Sequence, residues 1–187
     1  MDPVAKYLAE VGQVVANIDQ DQVKQVIEVL LDAWRRQKYV FIVGNGGSAA
    51  TASHFANDLN KGTLVPGKAR FRAVALTDNV PLMTAWANDT AYENIFAEQL
   101  VNFVAPGDIV IGISTSGNSA NVLRAVEVAR AAGAITVAWT GKSGGRLKDL
   151  VDYCIHVPTD CTQQIEDAHM VLDHVIATTL RHLIADS

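Results

Sequence analysis

Cysteine is scarce in this chain. Only Cys154 and Cys161 occur, and they form neither a Cys-x-x-Cys motif nor the paired spacings of a disulfide framework. The expectation is two reduced thiols. Basic residues are also in deficit: fifteen Lys+Arg stand against twenty Asp+Glu, for a net charge of −5. Proteins that grip nucleic acid electrostatically show a basic excess or a basic stripe, so direct nucleic-acid binding is not expected. No apolar run approaches the roughly 18 residues that span a bilayer, and the first residues lack the basic and apolar segments of a signal peptide. A cytoplasmic protein with no membrane association is the expectation. No repeat, low-complexity tract or linker divides the sequence.

What is present fits one globular domain over 1–187. The chain has 187 residues, of which 49% are apolar and 19% charged, an ordinary composition for a packed domain. Two helical patterns open it, at 2–17 and 21–36. In the second, Val23, Val26, Ile27, Leu30, Leu31 and Trp34 recur at helical spacing, with Asp19 or Asp21 as the N-cap. Short β-branched runs follow at 39–43, 73–76, 109–113, 135–139 and 153–157. Helical patterns separate or flank them at about 48–60, 80–87, 91–104, 119–132, 143–150 and 163–184. Strands alternating with helices predict an α/β fold, a doubly wound five-stranded parallel sheet of flavodoxin-like order 2-1-3-4-5, preceded by an N-terminal helical hairpin over 1–36. The apolar stripes of that hairpin, Leu8–Ile18 and Val23–Trp34, could pack back on the chain's own sheet or against another subunit, and their place outside the sheet favours association.

Two small-residue loops sit at strand ends. Gly44-Asn45-Gly46-Gly47-Ser48 follows the first strand and opens a helix. Glycines there admit a ligand close to the backbone, and a helix N-terminus attracts anions. Neither the Walker A loop nor the dinucleotide fingerprint is matched, and a tight turn alone would also explain the glycines. After the third strand, Ser114, Thr115, Ser116 and Ser119 place four hydroxyls within six positions. Hydroxyls and backbone amides suit a phosphate, although Ser119 would serve equally as a plain N-cap. In the order 2-1-3-4-5 both loops flank the switch point where open α/β sheets bind ligands. Together they favour a small phosphorylated ligand.

Polar residues at helical spacing supply candidate chemistry. His54 and Asp58 lie four apart on one predicted helix, and Glu166, His169, Asp173 and His174 fall near one face of the last. Imidazole with carboxylate can bind a divalent metal or act as an acid–base pair. Solvated surface residues would show the same pattern.

The motifs, in this order, resemble the sugar isomerase (SIS) domain, and in detail the phosphoheptose isomerases. Gly44–Ser48, His-Phe-Ala at 54–56, Ala-Asn-Asp at 87–89, Pro-Gly-Asp at 106–108, Ile113–Ser119 and Thr-Gly-x-x-Gly-Gly at 140–145 carry the resemblance, with His169 and His174 on the last helix. It implies that Asn45, Gly46, Gly47, Asn88 and Asp89 contact substrate and that Ser114, Thr115, Ser116 and Ser119 hold its phosphate. It implies one zinc ion per subunit on His54, Asp58, Glu166 and His174, with Asp58 and Glu166 also at the substrate. Asp58 would be the general base and His174 its catalytic partner. The reaction implied is conversion of sedoheptulose 7-phosphate to D-glycero-D-manno-heptose 7-phosphate through a cis-enediol, in a homotetramer with shared active sites. Two positions depart from the family pattern: Asp58 replaces its Glu, and Glu166 its Gln. The shorter carboxylate and the added charge leave open a regulator similar to the SIS proteins that bind the replication initiator DnaA, or a protein for another phosphosugar.

Overall fold

The computed structural model describes residues 2–187. Five strands form the sheet: β1 (Tyr39–Gly44), β2 (Arg72–Ala75), β3 (Ile109–Ser114), β4 (Ile135–Thr140) and β5 (Tyr153–His156). Their order is β2-β1-β3-β4-β5 and every pairing is parallel. The expected doubly wound topology is therefore present. β3 is buried along its whole length and β1 over all but its first residue, which is why both read as continuous apolar runs rather than alternating ones.

Seven α-helices accompany the sheet: α1 (Pro3–Ala16), α2 (Gln20–Arg35), α3 (Gly47–Asn57), α4 (Val80–Asp89), α5 (Ala97–Phe103), α6 (Ala120–Ala131) and α7 (Thr162–Ala185). Helices α2, α3 and α7 cover one face, where Val40, Ile42, Ile111 and Trp139 meet Leu30, Phe55 and Ile176. On the other, Phe41, Val43 and Val110 pack with Leu100 of α5 and Val122 and Val126 of α6. Gly112 in β3 permits the close seating of α6, since a Cβ there would stand 2.8 Å from a methyl of Val122.

Three helical expectations are corrected. The pattern at 48–60 is α-helical only to Asn57 and then opens into a π turn, Asp58–Gly62. The stretch 91–104 divides into a 3₁₀ turn at Tyr92–Asn94 and the short α5. At 143–150 only a 3₁₀ turn, Leu147–Asp149, forms; glycines at 144 and 145, both with positive φ, break the helix that Leu147 and Leu150 suggest.

The N-terminal hairpin also differs from its reading. Asp19 caps α2, accepting from the Asp21 amide at 2.9 Å, and the Val23–Trp34 stripe is buried in this chain's own core. It is not free for a partner. By contrast α1 buries no residue fully; Val4 and Leu8 stand outward, and the Tyr7 hydroxyl donates to Asp167 of α7 at 2.7 Å.

Both outer strands are closed by amide side chains. At β2, Asn60 donates from Nδ2 to the Ala73 carbonyl at 2.8 Å and accepts from the Ala73 N–H at 3.1 Å. At β5, the His156 N–H donates to Oε1 of Gln22 at 3.0 Å.

His169 of α7 is fully buried beside Trp139, with ring centroids 6.0 Å apart. Neither of its ring nitrogens has a hydrogen-bond partner among the described residues. Burial pushes its pKa down to about 4. The unfolded chain, with an ordinary histidine, takes up that proton more readily, so His169 costs stability as pH falls from about 6.5 towards 4. Replacing it with a neutral residue removes this acid sensitivity. Between pH 8 and pH 4.5, wild type should lose about 2–3 kcal/mol more unfolding free energy than His169→Leu, measured by urea titration at both pH values. Equal losses would show that the ring ionises without penalty.

Candidate functional site

The site begins where β1 ends. A Cβ on Gly44 would stand 2.7 Å from the Ser48 carbonyl oxygen, so only glycine lets the chain turn this tightly into α3. Gly46, at φ 56°, supplies the left-handed residue at the helix entrance, and no side chain caps that end. The first amides of α3 therefore remain to be met by a ligand or water. Asn45 is held by a reciprocal amide pair with the buried Asn121, each Nδ2 donating to the other's Oδ1 at 2.8 Å, and Tyr92 donates to the same Asn45 oxygen at 3.1 Å.

The hydroxyl-rich loop leaves the neighbouring strand β3, one step across the sheet. Gly117 donates its N–H to Ser114 Oγ at 3.2 Å, and Asn118 donates to Ser116 Oγ at 3.2 Å. Ser119 stands at the N-cap of α6 but makes no capping bond; its hydroxyl lies 3.2 Å from that of Ser114. The plain-cap reading of Ser119 thus fails. Behind this loop the backbone of 141–145 packs directly on it: a Cβ on Gly117 would collide with Gly144, and one on Gly145 with Ser116. Thr115 and Ser116 open onto a pocket of about 170 Å³ that Lys142, Ser143 and Thr162 also line.

The chemistry-bearing residues meet between α3 and α7. One ligand atom from each of His54, Asp58 and His174 lies within 4.8 Å of the others. His174 Nε2 is 3.9 Å from Asp58 Oδ2, and the two imidazoles sit edge to face with centroids 5.2 Å apart. Asn57 donates to the other Asp58 oxygen at 3.0 Å. Asp173, fully buried, lies 2.6 Å from His54 Nδ1. That hydrogen bond raises the His54 pKa above the ordinary histidine value against the opposing effect of desolvation, while burial raises Asp173 above the usual carboxylate range. With Nδ1 engaged by Asp173, His54 is left with Nε2 to offer. Two imidazoles and a carboxylate, one imidazole backed by a buried acid, make a donor set that suits a divalent metal with a position left open.

Glu166 stands apart from this cluster within the chain. It precedes His174 by eight residues on α7, about 12 Å along a helix rising 1.5 Å per residue. Its carboxylate instead covers Gly47, where any Cβ would collide with it; there an acid faces the N-terminus of α3, a favourable placement for negative charge. Asn88 and Asp89 lie exposed at the end of α4, with Asn88 donating to Asp89 at 2.8 Å. Among the described residues neither side chain hydrogen-bonds to either loop. Sequence reasoning passed over Asn121 and treated Asp173 as one more polar residue on its helix face. Its spacing from Glu166 was visible, but its burial was not.

A parallel sheet with a hydroxyl-rich loop and a glycine loop side by side at its switch point makes a ligand-binding type of α/β domain. The family model described as the SIS domain matches residues 6–141, and the chain belongs to that family. Within it the chain groups with the phosphoheptose isomerases. It is 43% identical to the phosphoheptose isomerase of Mycobacterium tuberculosis over 83% of this chain and 79% of that one. It is 37% identical to the probable phosphoheptose isomerase of Thermoplasma acidophilum, over 94% and 96%. The structure of phosphoheptose isomerase from Neisseria gonorrhoeae superposes with a TM-score of 0.87 at 32% identity, covering 95% of this chain and 96% of that one.

The buried acid behind His54 gives a direct expectation. Asp173→Asn keeps the shape but removes the charge that orients and polarises the imidazole. Divalent-metal affinity should fall about 10- to 100-fold, read by calorimetric titration with zinc ion. An unchanged affinity would mean that His54 is not a ligand or needs no support.

Proposed function

We propose that this chain, acting as one SIS domain, is an aldose–ketose isomerase that converts sedoheptulose 7-phosphate to D-glycero-D-manno-heptose 7-phosphate. The observation that carries the reading is the meeting of Asp58 with His174 across α3 and α7 despite the shorter acid at position 58. The phosphate rests on Ser114, Thr115, Ser116 and Ser119. Asn45, Gly46, Gly47, Asn88, Asp89 and Glu166 serve the carbohydrate. The Asp58 carboxylate takes a proton from the carbon beside the ketone, leaving a cis-enediol. Reprotonation at the former carbonyl carbon gives the aldehyde, with His174 carrying the proton that moves between the two oxygens. His54, Asp58 and His174 would hold zinc, which when bound polarises substrate oxygens as a Lewis acid. An intact acid–imidazole pair favours this over a non-catalytic relative that binds the replication initiator, since such a protein has no use for it.

The wild type should therefore exchange a substrate proton for solvent deuterium while isomerising sedoheptulose 7-phosphate. Asp58→Asn cannot accept that proton, and its turnover should fall by about 10²- to 10⁴-fold, with exchange lost in parallel by proton NMR. Exchange that survives Asp58→Asn would assign the base elsewhere.

The same reading includes a homotetramer working in the cytoplasm. No helix among the described residues is long and apolar enough to cross a membrane. Val4 and Leu8 of α1 and Val171, Val175 and Leu183 of α7 stand exposed. Beside them the half-buried Val15 and Ile18 line an apolar groove of about 430 Å³. Subunits meeting there would bury this surface. Light scattering at micromolar concentration should report about four chains, and Leu8→Asp should shift the population towards smaller species. A wild-type monomer would overturn the assembly.

A further inference from the structure

Three consecutive residues after α3 are pinned to three different neighbours. Asp58 faces His174 of α7. Leu59 is fully buried in the core beneath the sheet. Asn60 reaches the opposite way and grips Ala73 of β2 through both its amide oxygen and its amide nitrogen. These residues open the π turn Asp58–Gly62, which the Thr63 N–H closes by donating to the Asp58 carbonyl at 3.0 Å. The Thr63 hydroxyl adds a bond to the Leu59 carbonyl at 2.6 Å. A π turn is rare and occurs frequently at functional sites.

We infer that Asn60 is a positioning residue for Asp58, acting through this turn; the inference rests on the functional reading above. An aspartate reaches one methylene less far than a glutamate, so its carboxylate must be delivered by the backbone. The two-point clamp of Asn60 on β2 sets the turn, and the turn sets where the Asp58 Cα stands. Asn60 itself touches neither His54 nor His174. The Asn60–Ala73 clamp depends on one side chain matching the donor and acceptor of a single residue, a fit that alanine loses entirely and aspartate keeps by half, since a carboxylate accepts from the Ala73 N–H but has no N–H to return.

The test compares Asn60→Ala, Asn60→Asp and, as a control in the same turn, the exposed Lys61→Ala in the full chain. A displacement near 1 Å at a reacting group costs about 10²-fold in rate. In Asn60→Ala, kcat for sedoheptulose 7-phosphate should fall 10- to 100-fold while KM stays within about twofold, because the two strand-end loops are untouched. Asn60→Asp should recover part of the loss, and Lys61→Ala should match wild type. Hydrogen exchange at the Thr63 amide reads the turn independently of turnover and should quicken at least tenfold in Asn60→Ala, by a smaller factor in Asn60→Asp, and not at all in Lys61→Ala. An inactive wild type would overturn the isomerase reading; the positioning role would then stand or fall on the Thr63 exchange. Wild-type kcat, or unchanged Thr63 exchange, in Asn60→Ala would overturn the inference. A general loss of fold, marked by KM and kcat failing together with the thermal transition, is separated by Asn60→Asp, whose partial clamp keeps β2 closed; wild-type exchange at Thr63 with a lowered kcat in that variant would also count against the role.

Discussion

The pairing of α3 with α7 is the constraint on which the site depends. The two helices run in the same direction, so residues advance along both together: Gly47 lies against Glu166, the Thr51 hydroxyl faces the Met170 sulfur at 3.5 Å, His54 meets Asp173, and Asp58 meets His174. What holds them is burial. Ala52 and Phe55 of α3, Leu59 of the turn that follows it, and Ile165, Ala168, Leu172 and Ile176 of α7 share the core under the sheet, and removal of that apolar surface from water supplies the driving force. The polar residues use a geometry that the apolar ones set.

The second constraint is the adjacency of β1 and β3. Neither loop at their ends could form a site alone, because each presents small groups on one side only. The amide pair between Asn45 and Asn121 joins them. Asn121 also accepts from the Val122 amide at 3.0 Å, so the glycine loop is tied to the first turn of α6 as well as to its own helix, whose Ala49 and Ala50 amides donate to the Gly46 carbonyl. Glycine backbones from 141–145 then brace the hydroxyl loop from behind.

Much of this was legible in the sequence. Continuous β-branched runs marked the strands, the alternation with helices marked the winding, and the two small-residue loops marked the switch point. His54, Asp58 and His174 were legible because helical spacing projects onto a face. The misses have physical causes. Periodicity cannot see a π turn, since Leu59 remains apolar at a helical position while the backbone around it changes. Glu166 entered the metal set through the resemblance to the family, while helical spacing only put it near the face that carries His174; within the chain the rise of about two turns separates them. Asp173 looked solvated because acids usually are; the half-exposed imidazole that meets it comes from a helix more than a hundred residues away. The stripe on α2 looked like a subunit contact because nothing in a local pattern tells which apolar surface will cover it.

The amides at the sheet's two margins have a consequence for quaternary geometry. Asn60 stoppers β2, itself only four residues long, and Gln22 stoppers β5. Each imitates the first rung of a sixth strand and offers nothing to extend it. A margin treated this way resists edge-to-edge pairing with another chain. Contact between copies of this chain, where it forms, therefore falls more readily to the helical faces than to a sheet continuing from one chain into the next.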